Sequence, residues 1–398
     1  MKEFGLIIKL AVAIVLIVLF GDMVPESIQR TFFTVSILMK GTLIFCMPLI
    51  IFAFIVACLT AFQQKAPLLI FLILAFVTAS NFFFIQMGYV AGGIGLPLLG
   101  YTTGTAVQQI MHLAPLETFF TIPFPEVMST DMALLLGTGV GLYGAFWGNA
   151  TLTSWSTLLK DKVQWALTKV FIPLVPLYVI GFLFKIHHDE SLGDLFANYG
   201  PVFILVISLQ ALSIFTFFFT ANGGNWQGFK TSFKNALPSG LVGLSTMSSA
   251  ATLPLTLIAA EKNTKNKAVA EVVVPASTNI HHVGDSLGLP ILIAAVYAIN
   301  GVDPMGYSTY LLFSAYYVIA KFGVASVPGG EAIILIPILE TYFGFTDAMS
   351  GLLMTLYILA DPFNTSTNVM CNGALAMLMD KFCGRLKAFQ QVEVRSIP

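Results

Sequence analysis

Charge is what this sequence has least of. Only 10% of its 398 residues are Asp, Glu, Lys or Arg, while 57% are hydrophobic; a soluble domain carries about a quarter charged residues. With a mean hydropathy of +0.86, that shortage excludes water as the main solvent. The net charge is −1, so there is no basic footprint and no nucleic-acid partner is expected. Arginine is scarcer still, with none between Arg30 and Arg385. The four cysteines (Cys46, Cys58, Cys371 and Cys383) lie in or beside apolar runs without CxxC spacing. That argues for packing, and against a disulfide framework or a metal site. No short segment alternates apolar and polar residues as an outer-membrane barrel requires.

What is present is a series of apolar runs, at 5–21, 42–62, 67–98, 132–148, 164–186 and 201–220. A spanning helix needs roughly 20 residues, so these are read as spans 1 to 6 of an all-α integral membrane protein. The first run is read as a span, because Gly21-Asp22-Met23-Val24-Pro25 offers no small-x-small cleavage site. Basic residues mark cytoplasmic loops: Lys65, Lys160 and Lys162, Lys230 and Lys234, Lys262, Lys265 and Lys267, then Lys381, Arg385 and Lys387. Acidic connectors alternate with them at Asp189-Glu190, Asp303, Glu340 and Asp347. Both termini are then cytoplasmic, in the plasma membrane, or the inner membrane of a bacterium. The run His187-His188-Asp189-Glu190 reads as a solvated external loop rather than a metal site.

Two segments break the alternation. Residues 237–260 look like a span, yet basic loops flank them on both sides, and their middle, Ser245 to Pro254, is rich in Ser, Thr and Pro. A span cannot begin and end on one face, so a re-entrant hairpin is expected; non-helical backbone at that depth must be buried or line a cavity. Residues 308–345 lie between acidic connectors, and Gly323 to Glu331 has turn chemistry. Two hairpins entering from opposite faces, each followed by a polar helix (span 7, 268–300, and span 8, 349–382), make an inverted repeat. Transporters place midplane sites in such repeats.

Polar chemistry concentrates on those two helices. Asp361, Thr365, Asn368 and Asn372 are spaced 4, 3 and 4, which keeps them on one helical face, with Asn364 at its border. An intramembrane carboxylate costs at least a few kcal/mol, so Asp361 calls for a counter-charge or a polar cavity. One Asn would fit helix–helix hydrogen bonding; five polar groups with a carboxylate favour a solute site. In span 7, Pro275 and Gly284 weaken the helix around Asn279, His281 and Asp285. His281 and Asp285, four apart, either share a proton or the imidazole is held by a carbonyl for packing; both readings stand. Lys321 and Glu331, ten apart around the second turn, form an ion pair that shapes the hairpin or take part in coupling.

Ser248-Ser249-Ala250-Ala251-Thr252-Leu253-Pro254 resembles the serine-rich first hairpin of the dicarboxylate/amino acid:cation symporter family, the glutamate transporters and their prokaryotic homologues. Ala325-Ser326-Val327-Pro328-Gly329-Gly330 resembles its second hairpin, and Asn368-Val369 with Asn372 fits its last helix. Met47-Pro48-Leu49-Ile50 and Gln210 add support, though the resemblance is sharp only over about 245–375. It implies an elevator-type homotrimer. Residues 1–66 and 130–190 would form the scaffold, and 67–98 with 200–385 the moving transport domain. It also implies that Asp361 holds a substrate amino group, with Asn364, Thr365 and Asn368 nearby. Backbone around Ser248, Ser249, Val327, Pro328 and Gly329 would close over the ligand.

The departures from the family pattern set the substrate expectation. Where acidic-substrate members supply an Arg, this chain has Asn364, and Met247 stands before the first-hairpin serines. Nothing in the core can clamp a second carboxylate bidentately. Cation-ligating carboxylates are replaced by Val283 and Asn372, which weakens sodium sites, since hard cations want several oxygen ligands. Candidates for cation or proton coupling are Asn279, His281, Asp285, Lys321, Glu331, Asn368 and Asn372, with the Lys321 ammonium a stand-in for an ion. The expectation is a secondary transporter of a small neutral or zwitterionic amino acid, with no cofactor beyond a possible Na+ or H+ and a lipid bilayer as surroundings. Alternatives are a dicarboxylate or organic-acid symporter, or a channel or sensor that lost coupling. An intramembrane enzyme is least favoured, because no nucleophile–base pair accompanies the serines.

Overall fold

The computed structural model describes residues 12, 16–17, 19–60, 67–101, 116–125, 128, 130–147, 150–166, 169–170, 172–189, 192–324 and 329–385. Every regular element among these residues is helical. The longer helices are α1 (Glu26–Thr60), α2 (Pro67–Leu98), α3 (Thr130–Trp147), α4 (Ala150–Ala166), α5 (Ile172–Asp189), α6 (Leu192–Ala221) and α7 (Trp226–Thr246). Shorter helices follow: α8 (Ser249–Asn263), α9 (Lys267–Ser277), α10 (Val283–Ile299), α11 (Tyr307–Ala320) and α12 (Gly330–Tyr342), before the long α13 (Asp347–Arg385). Of the described stretches, Phe71–Leu98 and Tyr199–Ala221 are long and apolar enough to cross a membrane by length and composition. The first apolar run, 5–21, lies mostly outside the described residues.

Solvent logic is inverted relative to a water-soluble protein. Phe146, Trp147 and Leu98 are among the most exposed side chains, while Lys321, Glu331, Asp361 and Asn372 are buried. Charged residues are almost never fully buried unless paired, so the interior must supply their partners. Helix α1 packs on α3, α4 and α5, and α10 packs on α2, α6 and α13. Helix α13 also packs against α7, α8 and α9. Fewer contacts join the two groups, among them α1 against the short 3-10 turn Lys321–Gly323.

Helices α7 and α8 fold back on each other: Asn235 Nδ2 donates to Asn263 Oδ1 at 2.7 Å, and Asn263 Nδ2 to the Ser232 carbonyl at 3.0 Å. Their junction is two residues long. Met247 closes α7 at a φ of 51°, the left-handed region that non-glycine residues rarely adopt. Ser248 opens α8 as its N-cap, accepting from Ala251 N at 3.3 Å. A serine at this position satisfies an amide that the first helical turn leaves orphaned.

Several boundaries differ from the sequence expectation. The segment carrying Lys160 and Lys162, read as a loop, is helix α4, an amphipathic element with Trp155, Leu158 and Trp165 exposed. Its Lys and Asp residues depress the average hydropathy, although the apolar residues occupy one face. Lys230 and Lys234, also read as loop, extend α7. The helix that holds the second apolar run begins at Glu26, well before residue 42. His187 and His188 lie in the last turn of α5 rather than in a loop, and His187 Nε2 meets Asp22 Oδ1 at 3.0 Å.

Candidate functional site

The site starts from a broken helix. Helix α9 ends at Ser277 and α10 begins at Val283, as Pro275 and Gly284 led one to expect of span 7. A break frees backbone groups that a membrane interior cannot hydrate. Asn81 of α2 takes up two of them: its Nδ2 donates to the Ile280 carbonyl at 2.6 Å, and its Oδ1 accepts from His282 N at 3.2 Å. Gly284 lets α10 lie directly on α13. A Cβ there would sit 2.5 Å from the Asn364 carbonyl oxygen, closer than any side chain permits.

The polar stripe of α13 faces this break. Asn368 Oδ1 accepts from Gly284 N at 2.8 Å, and its Nδ2 donates to Asp285 Oδ2 at 2.5 Å. Asn372 Oδ1 meets His281 Nδ1 at 2.7 Å, and Ser80 Oγ meets the other ring nitrogen at 2.9 Å. Asn364 Oδ1 accepts from Gln210 Nε2 at 2.6 Å, whereas Asn364 Nδ2 has no hydrogen-bond partner. Asp361 accepts from Gly329 N at 2.8 Å and from the Thr365 hydroxyl at 3.2 Å. All five residues are buried, and Asn364, Asn368 and Asn372 turn to Gln210, to Gly284 with Asp285, and to His281.

Other candidates are placed differently. His281 and Asp285 do not bond each other: the imidazole turns to Ser80 and Asn372, and the carboxylate to Tyr357 and Asn368. The break removes the helical register that would have aligned them. Asn279 is exposed at the turn, apart from its buried neighbours. Ser248 caps α8 and Ser249 is buried in its first turn. Val327 and Pro328 lie outside the described residues.

Lys321 and Glu331 pair as expected, with Nζ 2.9 and 2.8 Å from the two carboxylate oxygens. Two partners were not anticipated: His282 Nδ1 bonds Glu331 Oε1, and the Tyr317 hydroxyl donates to Oε2 at 2.5 Å. Tyr357 donates to Asp285 Oδ1 at 2.6 Å. His282 was visible as half of a His-His pair, and Asn81 as an amide inside an apolar run. Tyr317 and Tyr357 look like core aromatics in the sequence and carried no signal.

A family model described as the sodium:dicarboxylate symporter family matches residues 6–382. The chain belongs to this family. Relatives are distant. An uncharacterized symporter of Haemophilus influenzae is 27% identical over 54% of this chain and 48% of its own length. The serine/threonine transporter SstT of Acinetobacter baumannii is 21% identical over 66% of each chain. That of Streptococcus thermophilus is 24% identical over 52% of each. The chain therefore spans between about half and two thirds of these curated relatives. Membership in a family of membrane-embedded symporters makes this a multi-pass membrane protein.

The family's name implies sodium, so the donor set has to be tested against that ion. Among the described residues, His282, Asp285 and Glu331 bring ligand atoms within 4.8 Å of one another. They do not fit a sodium ion as arranged, because the carboxylate that would anchor it already accepts two bonds from Lys321 and one each from His282 and Tyr317. A carboxylate has about four lone-pair sites, and all are taken.

Proposed function

We propose that the protein is a secondary transporter carrying a small neutral amino acid across the membrane. The observation that carries this reading is the setting of Asp361. Its buried carboxylate meets a backbone N–H and a hydroxyl, and among the described residues no basic side chain pairs with it. A buried carboxylate held only by neutral donors is suited to a cationic group brought by the ligand, and an α-ammonium supplies one. The adjacent Asn364 amide is neutral, with a free N–H that suits a ligand oxygen. No Arg lies between Arg30 and Arg385, which disfavours a dicarboxylate despite the family's name. Similarity to the serine/threonine transporters SstT supports a serine- or threonine-like substrate.

In this reading α7–α8 and α11–α12 are re-entrant hairpins. Helices of 15, 14 and 13 residues (α8, α11, α12) rise about 20 Å at 1.5 Å per residue, short of the ~30 Å hydrocarbon core. The packing of α1 with α3, α4 and α5, apart from the helices that gather on α10 and α13, supports a separate scaffold; in this reading the scaffold trimerises, and α2 and α6–α13 move against it as an elevator. Uptake of labelled serine, threonine, alanine, aspartate and succinate into proteoliposomes tests the reading. Concentrative uptake of a neutral amino acid, abolished by Asp361→Asn, is expected. Uptake of succinate alone, or unchanged serine affinity in Asp361→Asn, would overturn it.

A further inference from the structure

We propose that Lys321 is a built-in cation: its ammonium saturates the Glu331 carboxylate of the cluster formed by His282, Asp285 and Glu331, so this cluster takes no sodium, and removing the ammonium opens a monovalent-cation site. This goes beyond the transport reading and does not depend on which solute is carried.

Lys321 is fully buried in a 3-10 turn after α11, where an isolated ammonium would be prohibitively costly to desolvate. Its stabilisation comes from both Glu331 oxygens and from the Tyr317 ring, whose centroid lies 4.1 Å away. The same Glu331 opens α12, and His282 is the N-cap residue of α10. The ammonium thus joins the two ends of the α11–α12 pair through Glu331, and Glu331 in turn reaches the break between α9 and α10 through His282.

Glu331 also needs no added ion. Its single negative charge meets the Lys321 ammonium at both oxygens, and His282 Nδ1 and the Tyr317 hydroxyl take its remaining lone pairs. Sodium would bring a surplus positive charge to a carboxylate with no lone pair left.

Taking the ammonium away should uncover the ligand set. In Lys321→Ala, Glu331 loses its counter-charge, while His282, Asp285 and Tyr317 stay on their helices. The test is sodium-dependent thermal stability and radiolabelled sodium binding of the purified full chain, in sodium against choline. The quantity read is the difference between Lys321→Ala and the wild type. A sodium-specific rise in Tm on the order of 2 °C at ten times the Kd is expected for the variant over the wild type. Adding Glu331→Gln to Lys321→Ala should abolish that gain. No gain in Lys321→Ala, or a wild-type sodium response that Glu331→Gln removes, would overturn the proposal. Should Lys321→Ala fail to fold in either salt, Lys321→Met with Glu331→Gln decides. Recovery of a folded protein supports the counter-charge role, and failure of the double variant sinks it.

Discussion

Gly284→Ala tests the hinge between the broken helix and the polar stripe of α13. The added Cβ would lie 2.5 Å from the Asn364 carbonyl oxygen and 2.8 Å from its Cα, against an ordinary contact of 3.4–4 Å. Both atoms are backbone, so no rotamer change relieves the clash, and α10 must retreat by about 1 Å. That displacement would stretch the 2.8 Å bond from Gly284 N to Asn368 Oδ1 beyond hydrogen-bond range. It would also disturb the 3.2 Å bond from Gln210 to the Gly284 carbonyl. Overpacking costs about 1–3 kcal/mol, and each buried polar group left unpaired about 1–3 more. A loss of about 3 kcal/mol follows, or a fall in Tm of roughly 4 °C at an unfolding entropy of about 2.1 cal/mol/K per residue. Asn368 would lose its hold, and solute binding should fall with stability. The matched control is Gly93→Ala on α2, where a Cβ meets nothing within 4 Å and helix propensity alone favours Ala by about 1 kcal/mol. Thermal unfolding in detergent, beside an uptake assay, reads both variants. If Gly284→Ala melts within a degree of wild type and transports normally, the account of this close approach is wrong.

Other substitutions separate the parts of the site. Asn81→Ala strips partners from the Ile280 carbonyl and the His282 N–H; it should cost about 2–4 kcal/mol and raise hydrogen exchange across 278–283, with no exchange difference counting against it. Tyr357→Phe removes the 2.6 Å donor to Asp285 and should lower stability by about 1–3 kcal/mol. Adding Asp285→Asn should recover part of that loss, and strictly additive effects in the double-mutant cycle would show that the two groups are not coupled. Asp380→Asn weakens the half-buried carboxylate that accepts from Lys265 N and Asn266 N at 2.7 and 3.2 Å. A change of no more than about 1 kcal/mol is expected there, with unaltered uptake; a large transport defect would refute a purely capping role.

Much of this architecture was legible because it follows from local rules. Low charge and long apolar runs determine the solvent, since a buried backbone in lipid must be helical. The spacing of Asp361, Thr365, Asn368 and Asn372 determines a shared face, because a helix repeats every 3.6 residues. Pro275 and Gly284 mark the break through backbone chemistry alone. Helix α4 was hidden because averaged hydropathy does not see amphipathicity in a segment holding Lys160, Asp161 and Lys162.

Partner choice was not legible, and only the tertiary structure decided it. In an intact helix His281 would face Asp285; once the helix is broken, His281 turns to Asn372 and Ser80. His282 instead reaches Glu331, 49 residues away. Whether Lys321 lies at a surface or inside, and whether Tyr317 and Tyr357 are core or hydrogen-bond donors, depends on which helices meet there. Composition and periodicity constrain one segment at a time. The pairing of buried charges is a condition on several segments at once, imposed by the cost of leaving any one of them alone.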